Sequence, residues 1–234
     1  MLVSSILAAL ALLSLILMLW QWLAAARFPL HQRVEAGLFA PSVSLLKPLK
    51  GSDAETAKCL RSWMEQDYPA PVQILFGVAS AEDPACEVVR RVIAAHPKAD
   101  AQLVICAENL GPNPKVSTLI QLERIVKNEV VMVSDADVFV PSDFLSQVVR
   151  PLQEPDVGLV NCFYRLEGAT NLAMRWESFA VNADFWSQVL QAQMLKPINF
   201  AMGAVMVTRR TQLEAIGGSS ALVNYLADDY QLGN

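Results

Sequence analysis

The sequence predicts an α/β domain built on a mostly parallel, doubly wound sheet and preceded by one membrane-spanning helix. Three observations carry this. Residues 2–26 contain no charged side chain. From Val43 onward, short apolar runs alternate with stretches of helical periodicity. The fourth such run ends in Ser134, Asp135, Ala136 and Asp137, which sets two carboxylates at the sheet edge where open α/β sheets bind ligands.

The elements follow in order. Residues 2–26, mostly Leu, Ala, Ile and Val, are long enough to cross a hydrocarbon core of about 30 Å, which takes roughly 20 helical residues. Trp20 and Trp22 suit an interfacial aromatic belt, and Arg27, His31 and Arg33 follow at once. That positive flank predicts an outer N-terminus with the bulk of the chain in the cytoplasm. The competing reading is a cleaved signal peptide, but no Lys or Arg precedes the run and the run is too long for one. Residues 27–41 form a link ending at Pro41. Strands are expected at 43–46, 72–78, 102–106 and 129–134. Helices are expected at 54–66, at 84–95 with Asp83 as N-cap and Pro84 in the first turn, and at 114–127. A helix over 142–150 lies between Pro141 and Pro151, and 156–161 reads as a strand. Residues 170–195 read as one long helix rich in Phe, Trp, Met and Ala. Its default role is a buried core helix; the alternative is a surface that dips into the membrane interface or holds a lipid acceptor.

Composition narrows the function. The chain has 234 residues and is 53% hydrophobic, with a mean hydropathy of +0.33, which the apolar N-terminal run accounts for. The net charge is −5 with no basic tract, so no nucleic acid is expected as a partner. Cys59, Cys86, Cys106 and Cys162 lack metal-binding spacing and read as reduced, small apolar residues. With only His31 and His96 present, a zinc site or histidine base is disfavoured.

A doubly wound sheet first suggests a dinucleotide or P-loop site, yet neither GxGxxG nor GxxxxGK[ST] occurs. Phosphates would have to be held another way. Residues two apart on an extended chain point to the same side, so Asp135 and Asp137 could converge on a hard divalent cation; a solvated turn is the other reading. Asp83 follows the second strand and faces the same edge, as a helix cap or a ligand. The adjacent Asp228 and Asp229 are either a solvated turn or a partly buried pair, one of which is suited to act as a base.

An ordered set of motifs then carries a resemblance over residues 42–234. It comprises VSLLKPLKG at 43–51, DYP at 67–69, EDPA at 82–85, GPNPKV at 111–116, Asp135-Ala136-Asp137, Gly203 with Arg209-Arg210 and Gly217-Gly218, and ADDY at 227–230. The chain resembles an inverting GT-A glycosyltransferase of the ceramide glucosyltransferase family, glycosyltransferase family 21, and most of all its bacterial hopanoid-pathway members. The resemblance implies a GT-A catalytic domain over 42–234 behind an anchor at 1–26. It implies a UDP-sugar donor (UDP-GlcNAc or UDP-Glc), a lipid acceptor of hopanoid or ceramide type, and a bacterial inner-membrane location.

By the same resemblance, Asp83 reads the nucleotide, and Lys115, Pro48, Asn113 and Gly203 line the donor site. Asp135 and Asp137 hold Mg²⁺ or Mn²⁺. Asp229 is the general base, with Asp228 where the family often has Glu. The family continues into a Q/RxxRW segment that this sequence, ending at Gly233 and Asn234, does not contain, so the chain is read as C-terminally truncated. A processive polysaccharide synthase and a non-catalytic nucleotide-sugar-binding module are the rival readings.

Overall fold

The computed structural model describes residues 1–28 and 39–233. Of the expected link and its positive flank, residues 29–38, including His31 and Arg33, lie outside the described residues. Contacts divide the described chain into two units. One contains helix α1 (Leu2–Arg27) and the segment Phe163–Asn199; the other contains the sheet and its helices.

In the sheet unit the order of elements is β1 (Val43–Leu49), α2 (Thr56–Met64), β2 (Val72–Val78), α3 (Ala85–Ala95), β3 (Asp100–Ile105), α4 (Pro114–Glu123), β4 (Val130–Ser134), α5 (Phe144–Val148) and β5 (Leu159–Asn161). The other unit's segment contributes α6 (Leu172–Phe179) and α7 (Trp186–Leu195). The chain then returns to β6 (Val205–Arg209), α8 (Arg210–Ala215) and α9 (Asp228–Gly233).

The strands lie in the order β3-β2-β1-β4-β6-β5. β1 pairs in parallel with β2 and β4, and β2 with β3, whereas β6 runs antiparallel to both β4 and β5. The chain winds outward from β1 through β2 to β3, then crosses back to β4. The C-terminal ends of β1 and β4 therefore flank the topological switch point, the crevice where such sheets bind ligands.

The central strands are apolar on both faces because both faces are covered. On one face Leu45, Phe76 and Met132 pack with Leu60, Trp63 and Val89. On the other, Leu46, Leu75 and Val133 pack with Leu119, Leu122 and Leu213. Gly77 sets how closely α4 approaches: a Cβ there would lie 2.6 Å from Thr118 Cγ2 and 2.9 Å from Leu122 Cδ1. That close seat fixes the N-terminus of α4 over the switch point.

Several boundaries differ from the sequence reading. β1 runs on to Leu49, because Lys47, Pro48 and Leu49 keep β2 as a neighbour after pairing with β4 ends at Leu46 and Val133. β6 was not expected at all. The 142–150 helix is reduced to α5 and a 3₁₀ turn at Arg150–Gln153. The expected helix over 170–195 is α6 and α7 joined by a π-helical stretch, Ala180–Phe185.

That segment is also not a buried core helix. α6 and the π-helical stretch bury no residue, and α7 buries only Trp186, Val189 and Leu190. Its local core is a small aromatic knot. The Trp186 ring meets Phe163, Tyr164 and Phe185 edge-on at 4.5–4.9 Å, and its Nε1–H donates to the Tyr164 carbonyl at 2.8 Å. Among the described residues, α1 is the one helix long and apolar enough to cross a membrane.

Candidate functional site

The site forms at the C-terminal ends of β1, β2 and β4, where loops are tied to one another by side chains. After β1 the chain turns at Gly51, whose φ of 71° favours glycine. Its N–H donates to both carboxylate oxygens of Asp83 at 3.0 and 3.1 Å. Asp83 Oδ1 also accepts from Ala85 N–H at 2.8 Å, at the start of α3. Asp83 is therefore both a helix cap and a clamp joining the β1 and β2 loops, the first of which leaves the sheet after Leu49, the neighbour of Pro48.

Beneath the β4 loop lies a residue the sequence reading passed over. Lys47 is fully buried in β1. Its Nζ donates to Ser134 Oγ at 3.0 Å and to the Asp135 carbonyl at 2.6 Å, and it sits 4.9 Å from the centre of the Trp63 ring. Burial pushes its pKa down to about 7, although the Asp135, Cys59 and Asp137 charges favour the cation. A lysine inside an otherwise apolar strand is the one signal in the sequence that could have flagged it.

Asp135 and Asp137 do not continue the strand. β4 ends at Ser134, where the ladder to β6 also ends, and Ala136 and Asp137 form a turn. The expected same-side placement by extended alternation therefore does not apply. Asp137 is exposed, and its charge reaches Lys47 and Cys59. Asp135 turns toward α4, where Lys115 Nζ binds its Oδ1 at 2.7 Å.

Asn113 caps α4, accepting from Val116 N–H at 3.2 Å while its Nδ2 donates to the Tyr225 carbonyl at 2.8 Å and Asp228 Oδ1 at 3.3 Å. Asp228 is 7% exposed, with Lys115 Nζ 4.0 Å from its Oδ2. Burial opposes the Lys115 charge, but Asp135, Asp228 and Asp229 together outweigh it and raise the lysine pKa. Asp229, at the start of α9, accepts Gly203 N–H on Oδ2 at 3.0 Å and Tyr230 N–H on Oδ1 at 2.8 Å. Gly203 is the meeting point. A Cβ there would lie 2.9 Å from Asp229 Oδ2 and 3.9 Å from Asp135 Oδ2.

The structure thus brings Asp135, Asp228, Asp229, Lys115, Asn113 and Gly203 into one cluster. Asp83 and Pro48 belong to the neighbouring β1–β2 edge, and Asp137 to the exposed turn. Among the described residues, no three His, Cys, Asp or Glu side chains form a ready-made metal cage. The donors present are carboxylate oxygens, the chemistry of a hard cation that takes its remaining ligands from phosphate and water.

A mixed sheet in the order β3-β2-β1-β4-β6-β5, wound outward from β1 with helices on both faces, is the GT-A glycosyltransferase fold. Its fold matches the solved mannosyltransferase PcManGT from Pyrobaculum calidifontis in complex with GDP-Man and Mn²⁺. The TM-score is 0.67 and the identity 23%, with 92% of this chain and 57% of that one covered. The chain belongs to glycosyl transferase family 21, whose sequence profile matches residues 6–234.

Among curated proteins it is 26% identical over 204 residues to ceramide glucosyltransferase 1 of Caenorhabditis elegans, covering 87% of this chain and 43% of that protein. It is 33% identical over 121 residues to the ceramide glucosyltransferase of Candida albicans, covering 47% of this chain and 22% of that one. The chain spans less than half the length of these relatives.

Proposed function

We propose that the chain forms the donor site and catalytic base of a membrane-anchored, inverting glycosyltransferase. It would move a hexose or N-acetylhexosamine from a UDP-sugar to a lipid hydroxyl of hopanoid or ceramide type. The observation that carries this reading is the convergence of Asp135, Lys115, Asp228 and Asp229 around Gly203. The family membership and the ceramide glucosyltransferase relatives support the reaction class and a lipid acceptor. PcManGT, bound to a nucleotide sugar and Mn²⁺, supports the donor class and a divalent metal.

In this reading Asp229 is the general base. Two backbone N–H groups hold its carboxylate in one orientation, so the proton acceptor is positioned before substrate arrives. The acceptor oxygen attacks the anomeric carbon, its proton passes to Asp229, and the bond from that carbon to UDP breaks with its electron pair leaving on UDP. One displacement inverts the anomeric centre. Lys115 keeps the acidic cluster from repelling a diphosphate. Asp83 and Asn113 hold the loops that frame the nucleotide. Asp135 and Asp137 would hold Mg²⁺ or Mn²⁺, which when bound neutralises charge on the departing diphosphate. With α1 as the anchor, the sheet unit would lie on the cytoplasmic side of a bacterial inner membrane.

The test uses the full chain in membranes with labelled UDP-sugars and a lipid extract. Asp229→Asn should lose transfer by roughly 10²–10⁴-fold while still binding UDP-sugar. Asp135→Ala should lose metal-dependent UDP-sugar binding, and unchanged binding would remove the metal role. Nucleotide-sugar binding by the wild-type chain with no transfer to any lipid would make it a binding module.

A further inference from the structure

We propose that Glu123 is a positioning residue for Asp229: by gripping Ser219 it fixes, from the far end of α4, the strap of chain that ends in Asp228 and Asp229. The proposal rests on the reading of Asp229 as the base.

Glu123 sits where local chemistry disfavours it. It is the last residue of α4, where the helix dipole opposes an acid, and no cation among the described residues offsets its charge. It is half-buried, and burial pushes its pKa up although Ser219 favours the charged form. What it gains is a grip on Ser219, which is buried. The Ser219 N–H donates to Glu123 Oε1 and Oε2 at 3.2 and 3.1 Å, and the Ser219 hydroxyl donates to Oε1. The two residues are 96 positions apart, so the contact is tertiary and no local turn accounts for it.

Ser219 opens the strap. The chain leaves α8 through Gly217 and Gly218, with φ of 95° and 67°, where glycine gives the backbone its widest freedom. It then runs back along α4, beginning with a 3₁₀ turn at Ser219–Leu222. Leu222 and Val223 pack with Val116, and Val223 lies so close to Gly111 that a Cβ there would be 2.5 Å from its Cγ2. At the N-terminus of α4, Asn113 N–H donates to the Val223 carbonyl at 3.2 Å, and the Asn113 side chain holds Tyr225 and Asp228.

Two directional anchors therefore set the strap. The apolar contacts between them are non-directional and permit sliding and tilt. Asn113 alone would fix a point and leave the orientation about it open. Glu123 and Asn113 stand about 15 Å apart on one helix, so together they fix both place and angle. Lys115 rides on the same helix, which gives the lysine and the base one common frame. Gly203, whose N–H meets Asp229 Oδ2 at 3.0 Å, arrives separately just before β6. A tilt of the strap moves the carboxylate against that donor.

The test compares Glu123→Ala and Glu123→Gln with the wild type, as full chains in membranes. It reads initial rates of transfer from UDP-sugar to a lipid extract, and hydrogen–deuterium exchange mapped by mass spectrometry. Alanine leaves Ser219 without its acceptor. Glutamine offers an oxygen to the Ser219 N–H and an amide N–H to its hydroxyl oxygen, so it rebuilds the grip without the charge. Glu123→Ala should lower kcat about tenfold, the cost of a sub-ångström misplacement at a reacting group, with donor KM unchanged and faster exchange confined to residues 219–230. Glu123→Gln should match the wild type in both readouts. A Glu123→Ala chain that transfers at full rate would overturn the proposal and leave the base reading standing. An equal loss in Glu123→Gln, or exchange that rises as much in β1–β4, would also overturn it, the second by making Glu123 a general stabiliser. A wild-type chain that binds UDP-sugar but transfers to no lipid would remove the base reading and the proposal with it.

Discussion

Replacing Gly203 with alanine should slow sugar transfer while leaving the fold standing. Gly203 is not among the glycines with positive φ, so alanine can adopt the same backbone, and losing a glycine from the unfolded chain favours folding by about 0.4–1 kcal/mol. The new Cβ meets one group too closely, Asp229 Oδ2 at 2.9 Å; the next contacts, at 3.7 and 3.9 Å, are ordinary. The obstacle is the end of a side chain, which can withdraw by about 0.5 Å to normal van der Waals distance. Stability should therefore change by less than about 1 kcal/mol. A misplacement of 1 Å at a reacting group can cost about 10²-fold, so half that distance predicts roughly a tenfold fall in kcat/KM, or about 1.4 kcal/mol of transition-state stabilisation. The assay pairs thermal melts in detergent with initial rates of transfer from UDP-sugar to lipid. A full-rate variant with an unchanged melt would show that the position of Asp229 does not matter to the chemistry. A collapsed melt would show that the side chain cannot give way as argued.

Lys115→Met should weaken donor binding and destabilise the fold by roughly 1–3 kcal/mol near neutral pH, because Asp135 loses a charge-assisted hydrogen bond. The raised Lys115 pKa means that its stabilisation is present below the ordinary value of 10.5 and is lost as pH rises through the higher folded value. Melts across that range should show an alkaline loss in the wild type that the variant lacks. Lys47 acts in the opposite direction: with a folded pKa of about 7 against 10.5, the unfolded chain binds the extra proton between those values, so stability should rise with pH across that window. Lys47→Met should flatten the rise. It should also reduce transfer, because the Asp135 carbonyl loses its buried donor.

What the sequence revealed and concealed follows the locality of each cause. β1, β2 and β4 were legible because strands buried on both faces read as predominantly apolar runs. Asp83 before Pro84 announced its helix start by cap chemistry acting within two residues, and Asn113 before Pro114 caps its helix in the same local way. β6 was hidden because its register is set by β4, across about seventy residues of intervening chain, and nothing adjacent marks it. The turn at Asp135–Asp137 was one of two readings the sequence left open, for a related reason: the strand stops where its partners stop, which sequence alternation does not record. Lys47 was missed because burial of a lysine is a property of what surrounds it. The aromatic richness of 170–195 suits both a protein core and a lipid boundary, so composition alone could not separate them.

The excursion between β5 and β6 has a consequence for engineering. The sheet releases the chain after Asn161 and recovers it at Phe200, and the Asn161 side chain binds both returning neighbours, donating to the Phe200 carbonyl at 3.3 Å and accepting from Met202 N–H at 3.1 Å. One amide thus staples the two ends of a long detour. Loop-closure entropy grows slowly, by about 0.6 kcal/mol per doubling of length, so the sheet tolerates detours of very different size at this point. Residues 163–199 are in that sense a cassette: shortening them is expected to leave the β4–β6 register that holds Gly203 against Asp229 in place, which thermal melts of a shortened chain would check.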